Sequence, residues 1–210
     1  MLSSLAFLCA FALSAPPTGW ELVGTTNGVE VARKTIEGSD LFAFRGEAVT
    51  DVHVSVLSAL LLNDPLGPDW VDLMNISYLI EQERENTKLI RQGYDLPWPV
   101  SDRDYVMRQE ANYDMATKTF TLQFQSVVDP REPKNDCCVR AEATRTFWKI
   151  QTMANGESHV TVEVITDPKG LLPAWLINLI QQDWPHNTIN GLITRAQKGG
   201  FPSDPNNQSW

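Results

Sequence analysis

Basic residues are scarce in this 210-residue chain, and cysteines scarcer still. The 17 Lys and Arg stand against 26 Asp and Glu, a formal net charge of −9, and no basic cluster interrupts the excess. Nucleic acid and anionic lipid are drawn to positive faces, so bulk charge argues against both as partners, and the acidity serves solubility. Of the 3 cysteines, Cys9 stands near the start and Cys137 and Cys138 are neighbours. Ordinary disulfide geometry holds the Cα atoms well over ~4 Å apart. Free thiols or an intermolecular bridge are therefore expected, with a vicinal bridge as the alternative in an oxidising compartment. No CxxC and no His, Cys and carboxylate grouping at metal-ligand spacing is present, so no metal site is expected. A GxSxG nucleophile elbow is missing too, which removes support for serine hydrolases of that class.

Long apolar runs are also lacking. The run Leu5 to Leu13 has the length of a signal-peptide core and is too short for a membrane span. Ala12 and Ser14 allow cleavage after Ser14, whereas Pro16 disfavours a cut after Ala15. No Lys or Arg precedes Arg33, so the positive start of such a signal is reduced to the amino terminus. Ala-Phe-Leu before Cys9 does not suit a lipoprotein signal. Residues 1–15 are thus read as a signal-like segment of a periplasmic or secreted protein; if retained, the protein is cytoplasmic or membrane-anchored. Residues 19–199 suit one domain with a substantial core, and 200–210 read as a disordered tail.

What the chain does have is period-two alternation. Trp20–Val23 and Val29–Lys34 flank Asn27-Gly28, a strong hairpin signal, and Leu41–Ala48 reads as a third strand. Thr50 or Asp51 is placed to cap a helix reaching about Leu62. Asn63 to Pro68 breaks that helix, and a helical turn over Asp69–Met74 follows. Strand character returns at Ile76–Glu83, Lys88–Tyr94, Tyr105–Tyr113, Thr119–Val128, Val139–Thr152 and His159–Thr166, with Asn155-Gly156 as a second hairpin turn. Phe120, Leu122 and Phe124 oppose Thr121, Gln123 and Gln125, as Val160, Val162 and Val164 oppose His159, Thr161 and Glu163. An antiparallel sheet covered on one side has this signature.

The turn Asp167-Pro168-Lys169-Gly170 then feeds one long helix ending at Gly199-Gly200. Pro173 suits its first position, and Arg195 and Lys198 suit its last turn. Trp175, Leu179, Gln182, His186, Ile189, Ile193 and Ala196 recur at steps of three or four and form the expected inward stripe, widened by Leu172, Leu176 and Ile180. Pro185 frees a carbonyl and bends the helix. Gln182 and His186 beside it either turn outward to water or meet the polar end of a ligand. The architecture is a curved antiparallel sheet with two short helices between its third and fourth strands and the long helix across its concave side. Such a sheet leaves a pocket for an apolar ligand.

Two blocks carry a family likeness. One is Leu96-Pro97-Trp98-Pro99-Val100-Ser101-Asp102-Arg103-Asp104-Tyr105-Val106, and the other is Thr166-Asp167-Pro168-Lys169-Gly170 with Leu172-Pro173-Ala174-Trp175-Leu176-Ile177-Asn178. With Trp70 ahead of the fourth strand, they make the chain resemble the START family, the StAR-related lipid-transfer domains, over about Gly19 to Lys198. The resemblance implies an α+β helix-grip fold of the START and Bet v 1 type. It implies a tunnel for one sterol, phospholipid, sphingolipid or other apolar molecule, gated by the C-terminal helix, with no cofactor and transient membrane contact. A monomer is expected. Many members pair an acidic residue with an arginine inside the tunnel; the corresponding places fall near Asn75 or Ile76 and near Arg108 or Gln109, so the pair looks absent or rearranged here.

The ligand-facing candidates are therefore Trp175, Leu179, Gln182, His186, Ile189, Arg145, Gln109 and Phe124, with Pro185 as the gate hinge. Arg145 alternates with Ala143 and Phe147, and either holds a ligand anion or pairs outside with Glu142 or Glu163. Arg103 reads as structural, through Asp102 or Asp104, and Trp98 is either packed at a rim or meets membrane or ligand. His53 and His159 are expected at the surface. The leading function is binding, with transfer, of one hydrophobic ligand. The alternatives are a polyketide cyclase or aromatase on the same architecture, for which His186 with Asp183 or Arg145 is the available acid–base arrangement, and a lipid-sensing module without transport. No catalytic residues are assigned.

Overall fold

The computed structural model describes residues 16–134 and 136–200. The signal-like segment 1–15 and the tail from Phe201 lie outside them. The chain begins with β1 (Glu21–Thr26), β2 (Val29–Thr35) and β3 (Phe42–Thr50). Next come α1 (Val54–Leu62) and a 3-10 helix (Asp64–Asp69), before β4 (Met74–Arg84), β5 (Thr87–Tyr94), β6 (Arg103–Asp114) and β7 (Thr119–Ser126). It closes with β8 (Val139–Arg140), β9 (Glu142–Thr152), β10 (Ser158–Asp167) and the long α2 (Ala174–Lys198). The spatial order is β1-β2-β3-β10-β9-β7-β6-β5-β4, with β8 beside β6. All neighbours are antiparallel except β8 and β6. Strand β10 pairs with β3, so the late part of the sheet is joined to its start and the helix that follows lands over β2, β3 and β10. This is the helix-grip fold.

Local chemistry explains most elements. Asn27 and Gly28 both take positive φ, the conformation a two-residue hairpin loop requires. Three register shifts in β4, at an edge of the sheet, break the regular ladder that an unpaired strand would offer. Phe120, Leu122, Phe124, Val160, Val162 and Val164 are all buried, as their alternation requires. They join Leu57 and Leu60 of α1 and the edge-to-face pair Trp70 and Trp148, whose ring centroids lie 6.0 Å apart.

Four local expectations are corrected. The cap of α1 is His53, whose Nδ1 accepts from the Ser55 amide at 3.2 Å, because Thr50 still belongs to β3. The helical turn lies over Asp64–Asp69 instead of Asp69–Met74, since Pro65 sits in its first turn with φ already suited to it and Met74 opens β4. The run Val139–Thr152 divides at Ala141 into β8, which lies parallel to β6, and β9. Cys137 and Cys138 are joined to each other by a disulfide, the vicinal alternative.

The phase of α2 is the larger correction. Its buried residues are Ile177, Pro185, Thr188, Ile189, Leu192 and Ala196, while Trp175 and Leu179 are 69% and 56% exposed. The line from Trp175 to Ala196 therefore meets the buried one only toward the C-terminal end, while Leu172, Leu176 and Ile180, which widen it, are half-buried. Two glycines set the rotation. A Cβ on Gly46 would lie 2.8 Å from Pro185 Cβ and 2.9 Å from Ile189 Cδ1, so the bare strand backbone receives these two side chains. Gly191 lets the helix press on the Trp70 carbonyl, with no space for a Cβ. The helix is continuous through Pro185, and Pro173 is its N-cap, one place before the first helical position.

Candidate functional site

Between the inner face of the sheet and the first half of α2 lies a cavity of about 130 Å³. Its sheet wall holds Met107, Phe124, Trp148 and Val164; its roof is Leu172, Ile177, Ile180, Gln181 and Trp184. Leu60, Leu61, Asn63, Asp64, Gly67 and Trp70 close it beneath α1 and the 3-10 helix. The wall is apolar because these strand positions share one parity, and it is open because large side chains alternate with Ala143, Thr146 and Ser77.

The polar groups of the wall fall into two sets. Beside the Leu172 end, the Thr166 hydroxyl bonds the Tyr105 hydroxyl at 3.1 Å, and Gln181 Nε2 donates to the Thr166 carbonyl at 3.4 Å. The Tyr94 hydroxyl donates to Gln92 Oε1 at 3.0 Å. Burial pushes the phenols of both Tyr94 and Tyr105 well above their ordinary value, so both stay neutral. At the other end, Asp64 lines the cavity and pairs with Lys88 at 2.7 Å; Lys88 Nζ also donates to the Leu62 carbonyl at 2.7 Å. Trp70 and Ser77 also line the cavity, and their Nε1 and Oγ atoms are buried without a partner among the described residues.

Of the ligand-facing candidates, Phe124 stands in the wall. Gln109 is fully buried, with both amide atoms unpartnered among the described residues; it is in register with Phe124 and two residues beyond Met107, so it shares their face of the sheet, but it is not among the residues that line the cavity. Ile189 is buried against Gly46. Trp175 and Leu179 face away, and Gln182 and His186 lie half-buried outside the wall, with His186 Nδ1 3.1 Å from Asn187 Oδ1. Arg145 is exposed and lies over the Phe147 ring, 4.7 Å from its centroid. Arg145 and the exposed Asp183 do not join His186 in an acid–base group at the cavity. Among the described residues, no acid–arginine pair joins the places near Asn75 or Ile76 and near Arg108 or Gln109. Arg108 binds Glu83 at the surface, and Asn75 is an exposed residue bonded to Asp95. The charge pair at the cavity is Lys88 and Asp64 from different elements.

Spacing gave no reason to expect Asp64, which lies in a proline-rich break, or Ser77, on a strand with irregular register. Tyr105 and Thr166 were legible in principle, because they share parity with Met107 and Val164.

Arg103 shows why two distant segments form one rim. Its buried guanidinium donates to the Pro168 carbonyl at 3.0 Å, to the Lys169 carbonyl at 2.9 Å and to Ser101, rather than to Asp102 or Asp104. The loop after β5 and the turn before α2 are thereby tied together. Leu96, Pro168 and Leu172 of these segments line the cavity, while Trp98, 92% exposed, and the fully exposed Leu171 project into solvent, as do Trp175 and Leu179 of the helix that follows the turn. Elsewhere His53 is exposed and His159 is half-buried.

Comparison with known proteins agrees with this geometry. The START domain family matches residues 14–184. An uncharacterized protein of Pseudomonas aeruginosa is 30% identical over 182 residues, covering 85% of this chain and 87% of its own length. The phosphatidylcholine transfer protein of Bos taurus is 24% identical over 182 residues, covering 85% and 84%. A crystal structure of a STAR-related lipid transfer protein from Xanthomonas axonopodis superposes with a TM-score of 0.77 at 25% identity, covering 85% of this chain and 99% of that one.

Proposed function

Because the chain belongs to the START family of lipid-binding and lipid-transfer domains, we propose that it carries one lipid-like molecule in this cavity and that the first half of α2 is the lid. The observation that carries the reading is the unequal anchoring of α2 over an apolar cavity. From Ala174 to Trp184 only Ile177 is buried. That half is held by Asn178, whose Oδ1 accepts from the Phe42 amide at 3.1 Å and whose Nδ2 donates to the Asp40 carbonyl at 3.0 Å, and by Gln181. The second half is seated on Gly46 and on the Trp70 carbonyl. It is also bonded through Asn187 to Asp72 at 3.1 Å and through Arg195 to Asp69 at 3.4 Å. Pro185 marks the boundary, and with its missing N–H it is the flexure.

A pocket for a drug-sized ligand occupies ~300–1,000 Å³, whereas this cavity is about 130 Å³. Lid displacement is therefore part of loading. Trp98, Leu171, Trp175 and Leu179 give the moving edge a hydrophobic surface suited to transient membrane contact without basic residues. Native mass spectrometry of protein purified from its own host tests the binding. A stoichiometric lipid is expected, together with lipid transfer between donor and acceptor vesicles. An empty protein that also moves no lipid would sink the proposal.

A further inference from the structure

The disulfide between Cys137 and Cys138 staples nothing distant. The stabilisation a cross-link gives grows with the loop it closes, and adjacent residues close the smallest loop there is. What the bond fixes is local: the shape of two residues that lead straight into β8. Cys137 is exposed and Cys138 half-buried, so reagents in solution reach the bridge.

Strand β8 has a particular neighbour. The Val139 amide donates to the Asp102 carbonyl and the Ala141 amide to the Asp104 carbonyl, at 2.9 Å each, so the chain here grips the residues on both sides of Arg103. Arg140 adds two bonds to the Asp104 carboxylate, at 3.0 and 2.7 Å, and one to the Glu132 carbonyl at 3.1 Å. Arg103 in turn holds the Pro168 and Lys169 carbonyls of the turn before α2. A Cβ on Gly170 would stand 3.2 Å from Arg103 Nη2 and 3.9 Å from Val139 Cγ1, so Arg103 and β8 back that turn together. Ahead of the bridge, the Glu132 carboxylate accepts from the Tyr78 hydroxyl at 2.8 Å and from Arg91 at 2.9 Å. The bridge thus lies between two anchored points, and one of them leads to the lid.

We propose that Cys137 and Cys138 form a reversible thiol–disulfide site that sets how firmly the lid's turn is braced. With the bridge closed, the approach to β8 is fixed and Val139 is held beside Gly170. A dithiol reductant opens it: one thiolate attacks a cysteine Sγ, the Sγ–Sγ bond breaks, and the second thiolate displaces the mixed disulfide. The reductant leaves as its own disulfide, and its two protons end on Cys137 and Cys138. The freed segment lets β8 fray, and the turn loses its backing. The link to the lid rests on the lipid-binding reading above, whereas the thiol chemistry does not.

The oxidised full chain, compared with the same protein treated with dithiothreitol, tests this. Alkylation followed by peptide mass spectrometry is expected to label Cys137 and Cys138 only after reduction. Entry of the uncharged fluorophore N-phenyl-1-naphthylamine in stopped flow is expected to be ~3-fold or more faster in the reduced form, the scale of one weakened hydrogen bond. Removing the reductant and adding oxidised glutathione should restore the slower rate. Cys137→Ser with Cys138→Ser should show the reduced rate and ignore dithiothreitol. Hydrogen–deuterium exchange over residues 166–178 reads the brace without a ligand and should quicken on reduction. Thiols that alkylate before reduction, entry or exchange rates equal in the two states, or a double variant that still responds to dithiothreitol overturn the switch but not lipid binding. Quickened exchange with no fluorophore uptake in either state upholds the switch and overturns the lipid-binding reading.

Discussion

Pro185 and Gly46 meet across the helix–sheet interface, with Pro185 Cβ only 2.8 Å from where a Cβ on Gly46 would stand. The contact seats the proline of α2 against a strand position that has no side chain to resist it. It also sets which side of the helix faces the cavity.

Filling that notch should loosen the grip. Gly46→Ala forces the new methyl against Pro185 and Ile189, and overpacking of this kind costs ~1–3 kcal/mol. Urea denaturation should show a lower midpoint with an unchanged slope. Gly191→Ala should cost more, because the obstacle is the Trp70 backbone carbonyl rather than a side chain. A midpoint unaffected by either change would mean that the second half of α2 is not the anchored one.

Asn178 is the latch of the first half, joined to both Phe42 and Asp40. Asn178→Ala removes two hydrogen bonds at a half-exposed site, for a stability loss of about 1 kcal/mol. It should speed entry of N-phenyl-1-naphthylamine in stopped-flow measurements several-fold. An entry rate equal to wild type would assign the barrier to another part of the roof.

The exposed rim should matter for membranes and not for folding. Trp98→Ser with Leu171→Ser alters side chains that bury almost nothing, so the unfolding midpoint should stay within ~0.5 kcal/mol of wild type. Vesicle co-sedimentation and the transfer rate should fall together. Undiminished transfer by the double variant would remove the rim from the mechanism.

A pH dependence follows from His159. Burial lowers its pKa from the ordinary 6.5, with Arg45 and Lys149 acting the same way, while Glu47 at 3.7 Å opposes them in part. The folded state therefore holds a proton less readily than the unfolded chain. Its contribution is complete above about pH 6.5 and is lost as pH falls from there through the lower folded pKa. Urea midpoints measured at pH 8 and pH 5.5 should drop less in His159→Gln than in wild type. An equal drop would assign the acid sensitivity to other groups.

Alternation along a strand is a local property, and it was readable. Phe120, Leu122 and Phe124 declare their face because a covered sheet needs one apolar side, and the hairpin at Asn27-Gly28 declares itself through residues that tolerate positive φ. The wall residue Phe124 came from that pattern. The roof came only in part: Leu172 and Ile180, which widen the stripe, line the cavity, whereas Trp175 and Leu179 mimic a buried stripe while serving as exposed rim residues. Lys88 and Asp64 were hidden for a different reason. Their pairing joins β5 to a proline-rich 3-10 helix, and no spacing rule connects the two.

The amino-acid sequence by itself determined the family, the antiparallel sheet, the long final helix and the two loop blocks that Arg103 unites, since each rests on local propensity or on a motif. Only the tertiary structure decided how that helix is rotated and therefore which residues enclose the cavity. The rotation depends on Gly46 and Gly191, which contribute space instead of a side chain, and space has no signature until the other wall is in place.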